Sequence, residues 1–437
     1  MTIDPQPRPI NEALSCLDRS NLRRVPTALL LLASAYVVSA IVVSNIPGWN
    51  FIVRAIAAVY VLAHLLFMVV SRAELVKPNA IHLIFLVWCI LGVVGGYDTV
   101  SFDSLIGKLW TVFQLITLSY FLYALAIRMR SIRWLEWSYL FGVFVTLAWV
   151  LITTGGQFGL ERISGTQGNA NSFAFTLLMN CVLSLDFLRH YRSIIVKNAL
   201  LCNIGIAFPF ILATGSRKGV IGFFLLLFYE VVRSLFFQRR EKRVRSVIFG
   251  VLGIVLALTV CLPMLDESPF WGRFQNLERF AKGKALVEQE NSLSGRLNLY
   301  TRGFELALQR PLFGFGLDQF RYHVSTVSGT ASDQTYSHSN IIEVLADTGF
   351  IGFVIYHSAY LLIVLRLLSA RKRGDSSLAG GYLSLSVMIG VIVIVFDLFS
   401  VTYYAKEYWL AFTILLCSTE FVNGQYLQTE IRRIRES

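Results

Sequence analysis

Charge is scarce in this sequence. Only 15% of its 437 residues are Asp, Glu, Lys or Arg, against about 25% in soluble domains, so a string of water-soluble domains is excluded. Cysteine is scarce too. The six (Cys16, Cys89, Cys181, Cys202, Cys261 and Cys417) lie in apolar or terminal sequence and include no CxxC pair, which argues against a disulfide framework or a zinc site. No internal repeat is visible, which disfavours transporter folds built from repeated halves. No nucleic-acid-binding motif is present. The first 25 residues are too polar, and too long before the first apolar run, for a simple cleaved signal peptide.

What the chain has in abundance is apolar sequence: 55% of residues are hydrophobic and the mean hydropathy is +0.61. Runs of about 18 or more apolar residues, each able to cross a hydrocarbon core of about 30 Å, recur along the whole length. About twelve are expected, near 26–45, 50–71, 79–96, 107–127, 134–153, 172–188, 197–213, 218–237, 246–265, 349–369, 377–398 and 406–424. The fold class is therefore an all-α polytopic membrane protein.

Basic residues orient it. With a cytoplasmic N-terminus, the inner segments gather Arg8, Arg19, Arg23 and Arg24, then Arg72 and Lys77, then Arg128, Arg130 and Arg133, then Arg189, Arg192 and Lys197. The bias continues through Arg233–Arg245, Arg366–Arg373 and Arg432–Arg435. These are most of the basic residues, and the opposite orientation would invert the bias at nearly every short loop. The net charge of +12 is thus mainly a topology signal that can also attract anionic lipid heads. The expected organisation is a cytoplasmic tail at 1–25, nine spans over 26–264, one large outer loop at 265–348, three spans over 349–424 and a second tail at 425–437.

The polar groups on the outer side then stand out. Glu161-Arg162-Ile163-Ser164-Gly165-Thr166-Gln167-Gly168-Asn169-Ala170-Asn171 leads into the sixth span. Its Gly and Asn residues let backbone and side-chain amides approach a ligand closely; it reads equally as an ordinary turn with Asn171 or Ser172 as helix cap. Thr214-Gly215-Ser216-Arg217-Lys218-Gly219 is a tight hairpin with two cations at a helix start, where helix N-terminus and charge act together on anions. The alternative for Lys218 is snorkelling to lipid phosphates. Ser294-Gly295-Arg296 is expected to open a helix whose face Leu297, Tyr300, Phe304, Leu308 lies on the membrane or packs on the bundle. Arg296 can also be an ordinary solvated residue. The helix should stop at Arg310-Pro311. His338, in Tyr336-Ser337-His338-Ser339-Asn340, is either a loop residue without a role or a base held just before a helix. There Asn340 and Glu343 resemble a capping box, and the helix should close at Gly349.

These segments together resemble the O-antigen ligase and O-antigen polymerase superfamily. The resemblance runs through Gly165–Asn171, Gly215–Gly219, Ser294–Arg296, Arg310–Gly316 and His338–Asn340 to Gly349–Gly352, in order and spacing, from about 160 to 355. The nine-plus-three layout with one large loop is similar to the ligase. The resemblance implies a glycosyltransferase of the general C type in the bacterial inner membrane, with its site facing the periplasm. It implies an undecaprenyl-pyrophosphate-linked polysaccharide as donor, a sugar hydroxyl of lipid A–core as acceptor, and no metal or other cofactor. On that reading Arg217 and Arg296, with Arg162 and Lys218, stabilise the leaving pyrophosphate. His338 is the base or a pyrophosphate ligand, and Asn169, Asn340 and Tyr336 position substrate. The rivals are the polymerase, which shares the donor, and a lipid-linked oligosaccharide flippase. A flippase should show charge deep in its spans, where only Arg54, Glu230 and Asp397 are candidates.

Overall fold

Long runs of Leu, Val, Ile and Phe can satisfy their backbone N–H and C=O groups in lipid only by forming helices or closed barrels. This chain takes the first course. The computed structural model describes residues 25–43, 46, 48–155, 162–237, 287–328, 335–372 and 377–436, and among them all regular structure is helical. In chain order the helices are α1 (Thr27–Val42), α2 (Asn50–Ser71), α3 (Ala80–Val94), α4 (Phe102–Met129), α5 (Arg133–Thr154), α6 (Ala170–His190) and α7 (Ile194–Ala213). They continue with α8 (Arg217–Phe237), α9 (Val287–Gln309), α10 (Phe320–Ser328), α11 (Asn340–Lys372), α12 (Ser377–Phe399) and α13 (Lys406–Glu436).

Eight of these are long and apolar enough to cross a membrane: α2 through α7, α11 and α12. They coincide with eight of the expected spans. Helix α1 is apolar but shorter, and α8 and α13 cover the positions expected for the eighth and twelfth spans. The span expected near 246–265, the basic cluster beyond Arg233, the N-terminal tail and the first part of the large loop lie outside the described residues.

Burial orders the bundle. The apolar window of α6 is 78% buried, that of α2 only 17%, so α6 is a central post and α2 a peripheral, lipid-facing one. Helix α6 achieves this with a polar stripe at i, i+4, i+8 (Thr176, Asn180, Ser184), all fully buried. Asn203 of α7 donates to both Asn180 and Ser184 at 3.0 Å, the kind of interhelical hydrogen bond that holds helices together where lipid gives no hydrophobic drive. At the end remote from His338, Arg133 pairs with Glu136 and Asp186 at 2.8 and 2.5 Å. Arg189 joins Glu230, which also pairs with Arg233 at 2.9 Å. Glu230 is therefore a member of an ion-pair network near a helix end.

At the His338 end, the segment Arg310–Gly316 threads between α3 and α11. Gly316 N–H donates to Asp347 C=O at 2.7 Å, and Phe350 N–H to Pro311 C=O at 2.7 Å. The expected stop of α9 before Arg310 and the break at Gly349 are both present. Gly349 has φ 65° and ψ −173° inside α11, so the chain kinks there and then continues as helix. Only glycine populates that backbone region freely.

Candidate functional site

Two of the loops singled out in the sequence are sewn together. Arg162 Nε donates to Thr214 C=O at 2.9 Å, Ile163 N–H to Ala213 C=O at 3.1 Å and Ser216 Oγ to Asn171 Oδ1 at 2.9 Å. Asn169, not Asn171 or Ser172, starts α6: its side-chain oxygen accepts the Asn171 N–H at 2.8 Å. The bonds place Arg162 beside the Thr214–Ser216 turn and Arg217 at the first turn of α8. Thr166 and Gln167 face inward and bond to Ile41 C=O, which fixes the loop on the end of α1.

Arg296 comes from the large loop. The expected helix start at Ser294–Arg296 is corrected: α9 already runs from Val287, so Arg296 lies within it. On the apolar face expected of the helix, Leu297, Phe304 and Leu308 remain exposed; it packs instead through another face, with Leu299, Gly303 and Leu306 turned toward α10 and α11. This docking brings Arg296 to the cations of α8. Its charge acts on Arg162, on Arg217, on Lys218 and on His338.

The cations differ in their partners. The Lys218 side chain is buried, and its ammonium donates to Phe399 C=O and Ser400 Oγ. A cation there satisfies a terminal carbonyl and opposes the negative end of the α12 dipole. That contact, rather than snorkelling to lipid, accounts for it. Arg217 and Arg296 are half-buried, and among the described residues neither guanidinium has a hydrogen-bond or ion-pair partner. Two guanidiniums close enough to repel each other are chemically suited to an anion, since each offers a donor fork that fits phosphate oxygens.

His338 sits in the left-handed backbone region at φ 58°, unusual for a non-glycine residue. The turn is braced from both sides. Ser337 N–H donates to Glu343 Oε2 at 2.8 Å, Ser337 Oγ to Ser339 C=O at 2.7 Å, and Ser339 N–H to Ser337 Oγ at 3.2 Å. The residue is exposed, yet the surrounding protein partly desolvates its ring. That desolvation, then the charges of Arg296 and Lys218, hold its pKa below the ordinary imidazole value. It is therefore neutral at neutral pH and able to accept a proton.

The capping-box expectation is corrected. Glu343 reaches back to Ser337 rather than to Asn340, and Asn340 is the first residue of α11, fully buried. Its amide donates to Tyr356 Oη at 2.9 Å and accepts the N–H groups of Thr402 and Tyr403 at 3.1 and 3.2 Å. Asn340 thus clamps the 399–405 loop, whose other end Lys218 holds. Tyr336 lies near Lys108, Arg321 and Tyr404. The sequence reading missed Lys108, Asp318, Arg321 and Tyr404. One signal was available, an Asp directly after the Gly314–Leu317 turn, but nothing in sequence links it to Lys108 more than 200 residues earlier.

Comparison with known proteins bears on the same segment. Residues 203–357 match the family model described as O-antigen ligase. The match supports assignment to the O-antigen ligase/polymerase family, as the motif order implied, and with it a glycosyltransferase-like enzyme of lipopolysaccharide biosynthesis. The matched segment holds Arg217, Lys218, Arg296, Tyr336, His338 and Asn340, and begins after Arg162 and Asn169. No curated protein matches the chain.

Proposed function

We propose that the chain is an O-antigen ligase: a metal-independent, inverting glycosyltransferase of the bacterial inner membrane. It moves polysaccharide from undecaprenyl pyrophosphate to a sugar hydroxyl of lipid A–core at the periplasmic face. The observation that carries the reading is the pair of guanidiniums, Arg217 and Arg296, unpartnered among the described residues, with Arg296 acting on a neutral, outward-facing His338. His338 takes the proton of the acceptor hydroxyl as its oxygen attacks the anomeric carbon. The bond from that carbon to the pyrophosphate oxygen breaks with its electron pair on the leaving group. Arg217 and Arg296, helped by Arg162, meet the charge that develops, which is where fixed cations in a poorly solvated site contribute most. The proton on His338 then passes to water. Lys218 adds positive field while anchoring the 399–405 loop, Asn340 holds the same loop, and Asn169 and Tyr336 flank the substrate path.

The test is transfer by purified protein from lipid-pyrophosphate-linked glycan to lipid A–core with EDTA present. Transfer by wild type and its loss in His338→Ala is the expected result. Lengthening of the lipid-linked glycan with no product on the core would replace the ligase by the polymerase.

A further inference from the structure

Two residues before His338, Tyr336 belongs to a second group of side chains that the donor chemistry does not use. Lys108, in the second turn of α4, has its ammonium 3.6 Å from the ring centroid of Tyr404 and 5.3 Å from that of Tyr336. It pairs with Asp318 at 3.1 Å. Arg321, in the first turn of α10, pairs with the same carboxylate at 2.7 Å and places its guanidinium 5.3 Å from the Tyr336 ring. The two tyrosine rings are 5.8 Å apart. Asp318 is nearly inaccessible, whereas Tyr336, Tyr404, Lys108 and Arg321 are half-buried and keep part of their surface open.

Three features separate this group from an ordinary structural strut. The first is charge. Two cations meet at the Asp318 carboxylate beside two aromatic faces, with the buried Glu343 carboxyl near enough to act on Lys108. The second is backbone conformation. Of the four non-glycine residues with positive φ among the described residues, Arg72 and Arg130 end helices, where that conformation is common. The other two are His338 and Asp318, at φ 58° and 65°. Strain of this kind persists where surrounding structure enforces it and gathers at functional sites. Here the enforcing group is buried Asp347, which accepts the N–H groups of Asp318 and Phe320 at 2.8 and 2.9 Å. The third is position. Tyr336 precedes His338 by two residues, a span of at most about 7 Å, and Tyr404 sits on the loop that Asn340 and Lys218 anchor.

We infer that Lys108, Arg321, Tyr336 and Tyr404, oriented by Asp318, form the acceptor subsite, and that it takes a saccharide carrying a negatively charged substituent near the reacting hydroxyl. The apolar face of a sugar ring lies against the tyrosine rings and its anionic group faces Arg321 and Lys108. The incoming hydroxyl then reaches His338, two residues along the chain from Tyr336. This inference rests on the transferase reading above.

The experiment measures binding and turnover separately, in detergent with EDTA, using the lipid A–core oligosaccharide before and after enzymatic dephosphorylation. Direct binding to wild type, Arg321→Gln and Tyr404→Ala reads the subsite whether or not transfer occurs. Arg321→Gln should weaken binding of the phosphorylated oligosaccharide about tenfold, the worth of one charge-assisted contact, and change binding of the dephosphorylated one little. Tyr404→Ala should weaken both. In turnover, both variants should raise the acceptor KM and leave the donor KM unchanged. Equal effects on donor and acceptor, or unchanged acceptor binding in both variants, would overturn the inference and leave the cluster a strut. Gly390→Ala in α12, where nothing lies within 4 Å of the added Cβ, should leave acceptor binding unchanged and serves as the folded control. Tight acceptor binding without transfer by wild type would count against the transferase reading and not against the subsite.

Discussion

Gly349→Ala is the sharpest test of how the His338 end is held. A Cβ at this position would lie 2.5 Å from Leu312 C and 2.6 Å from Leu312 O and Phe313 N, all backbone atoms that cannot rotate away. The residue also has φ 65° with an extended ψ, a region that costs a non-glycine residue about 1–3 kcal/mol. Forcing an extra methyl into a packed site adds about 1–3 kcal/mol more. The sum, roughly 4 kcal/mol, is at the upper end of single-residue effects. Gly390 in α12 is the internal control, because nothing lies within 4 Å of a Cβ there and its φ is not positive. Gly390→Ala should stabilise by about 0.5–1 kcal/mol, as alanine does in a helix interior. Unfolding in detergent, followed by circular dichroism against SDS fraction, should move the two midpoints in opposite directions. If Gly349→Ala unfolds with Gly390→Ala, the Arg310–Gly316 segment does not pack against the α11 kink, and the route by which Asp347 holds Asp318 is wrong.

Three further outcomes follow from the site. His338→Gly and His338→Ala should both abolish transfer, yet the glycine variant should be the more stable by about 1 kcal/mol because φ is positive there; equal stabilities in thermal unfolding would mean the turn is not left-handed. The acid limb of kcat/KM should lie below the ordinary imidazole pKa of about 6.5, since burial, Arg296 and Lys218 all lower that of His338. In Arg296→Gln one of those charges is gone, so the limb should move to higher pH, and a pH–rate profile that stays put or moves down would sink the assignment. Inorganic pyrophosphate at about 100 times its Kd should raise the stability of wild type by about 2.7 kcal/mol, and that gain should vanish in the Arg217→Gln, Arg296→Gln double variant when both are melted side by side.

Hydropathy made the bundle legible because each run of apolar residues must satisfy its own backbone in lipid, a constraint that acts one helix at a time. The Pro311 stop and the Gly349 kink were legible for a similar reason: proline and glycine act on their own backbone. Assignments that depend on a distant partner failed. Asn340 looked like a cap because Glu343 stands three residues on, but its amide is taken by Tyr356 and by a loop more than 60 residues away. Lys218 looked free to meet lipid because Phe399 C=O is invisible from position 218. Arg296 looked like a helix start because Ser294-Gly295 is a turn signal, whereas α9 begins upstream. Lys108 carried no signal, since a lysine at a span border is the commonest of anchors.

The same contrast separates the groups that hold the site from those that act in it. Asn340, Asp347, Ser337 and Lys218 are buried with their polar atoms largely satisfied, so each would cost stability if removed. Arg217 and Arg296 are left half-buried without partners among the described residues, close enough for each to raise the cost of the other's charge. An Asp or Glu beside them would relieve that repulsion and stabilise the fold. It would also compete with any anionic leaving group for the same donors. A pair of guanidiniums without a carboxylate partner among the described residues is costly to the empty protein and favourable once an anion arrives. The ligand that relieves the cost therefore has to carry concentrated negative charge, as a pyrophosphate does.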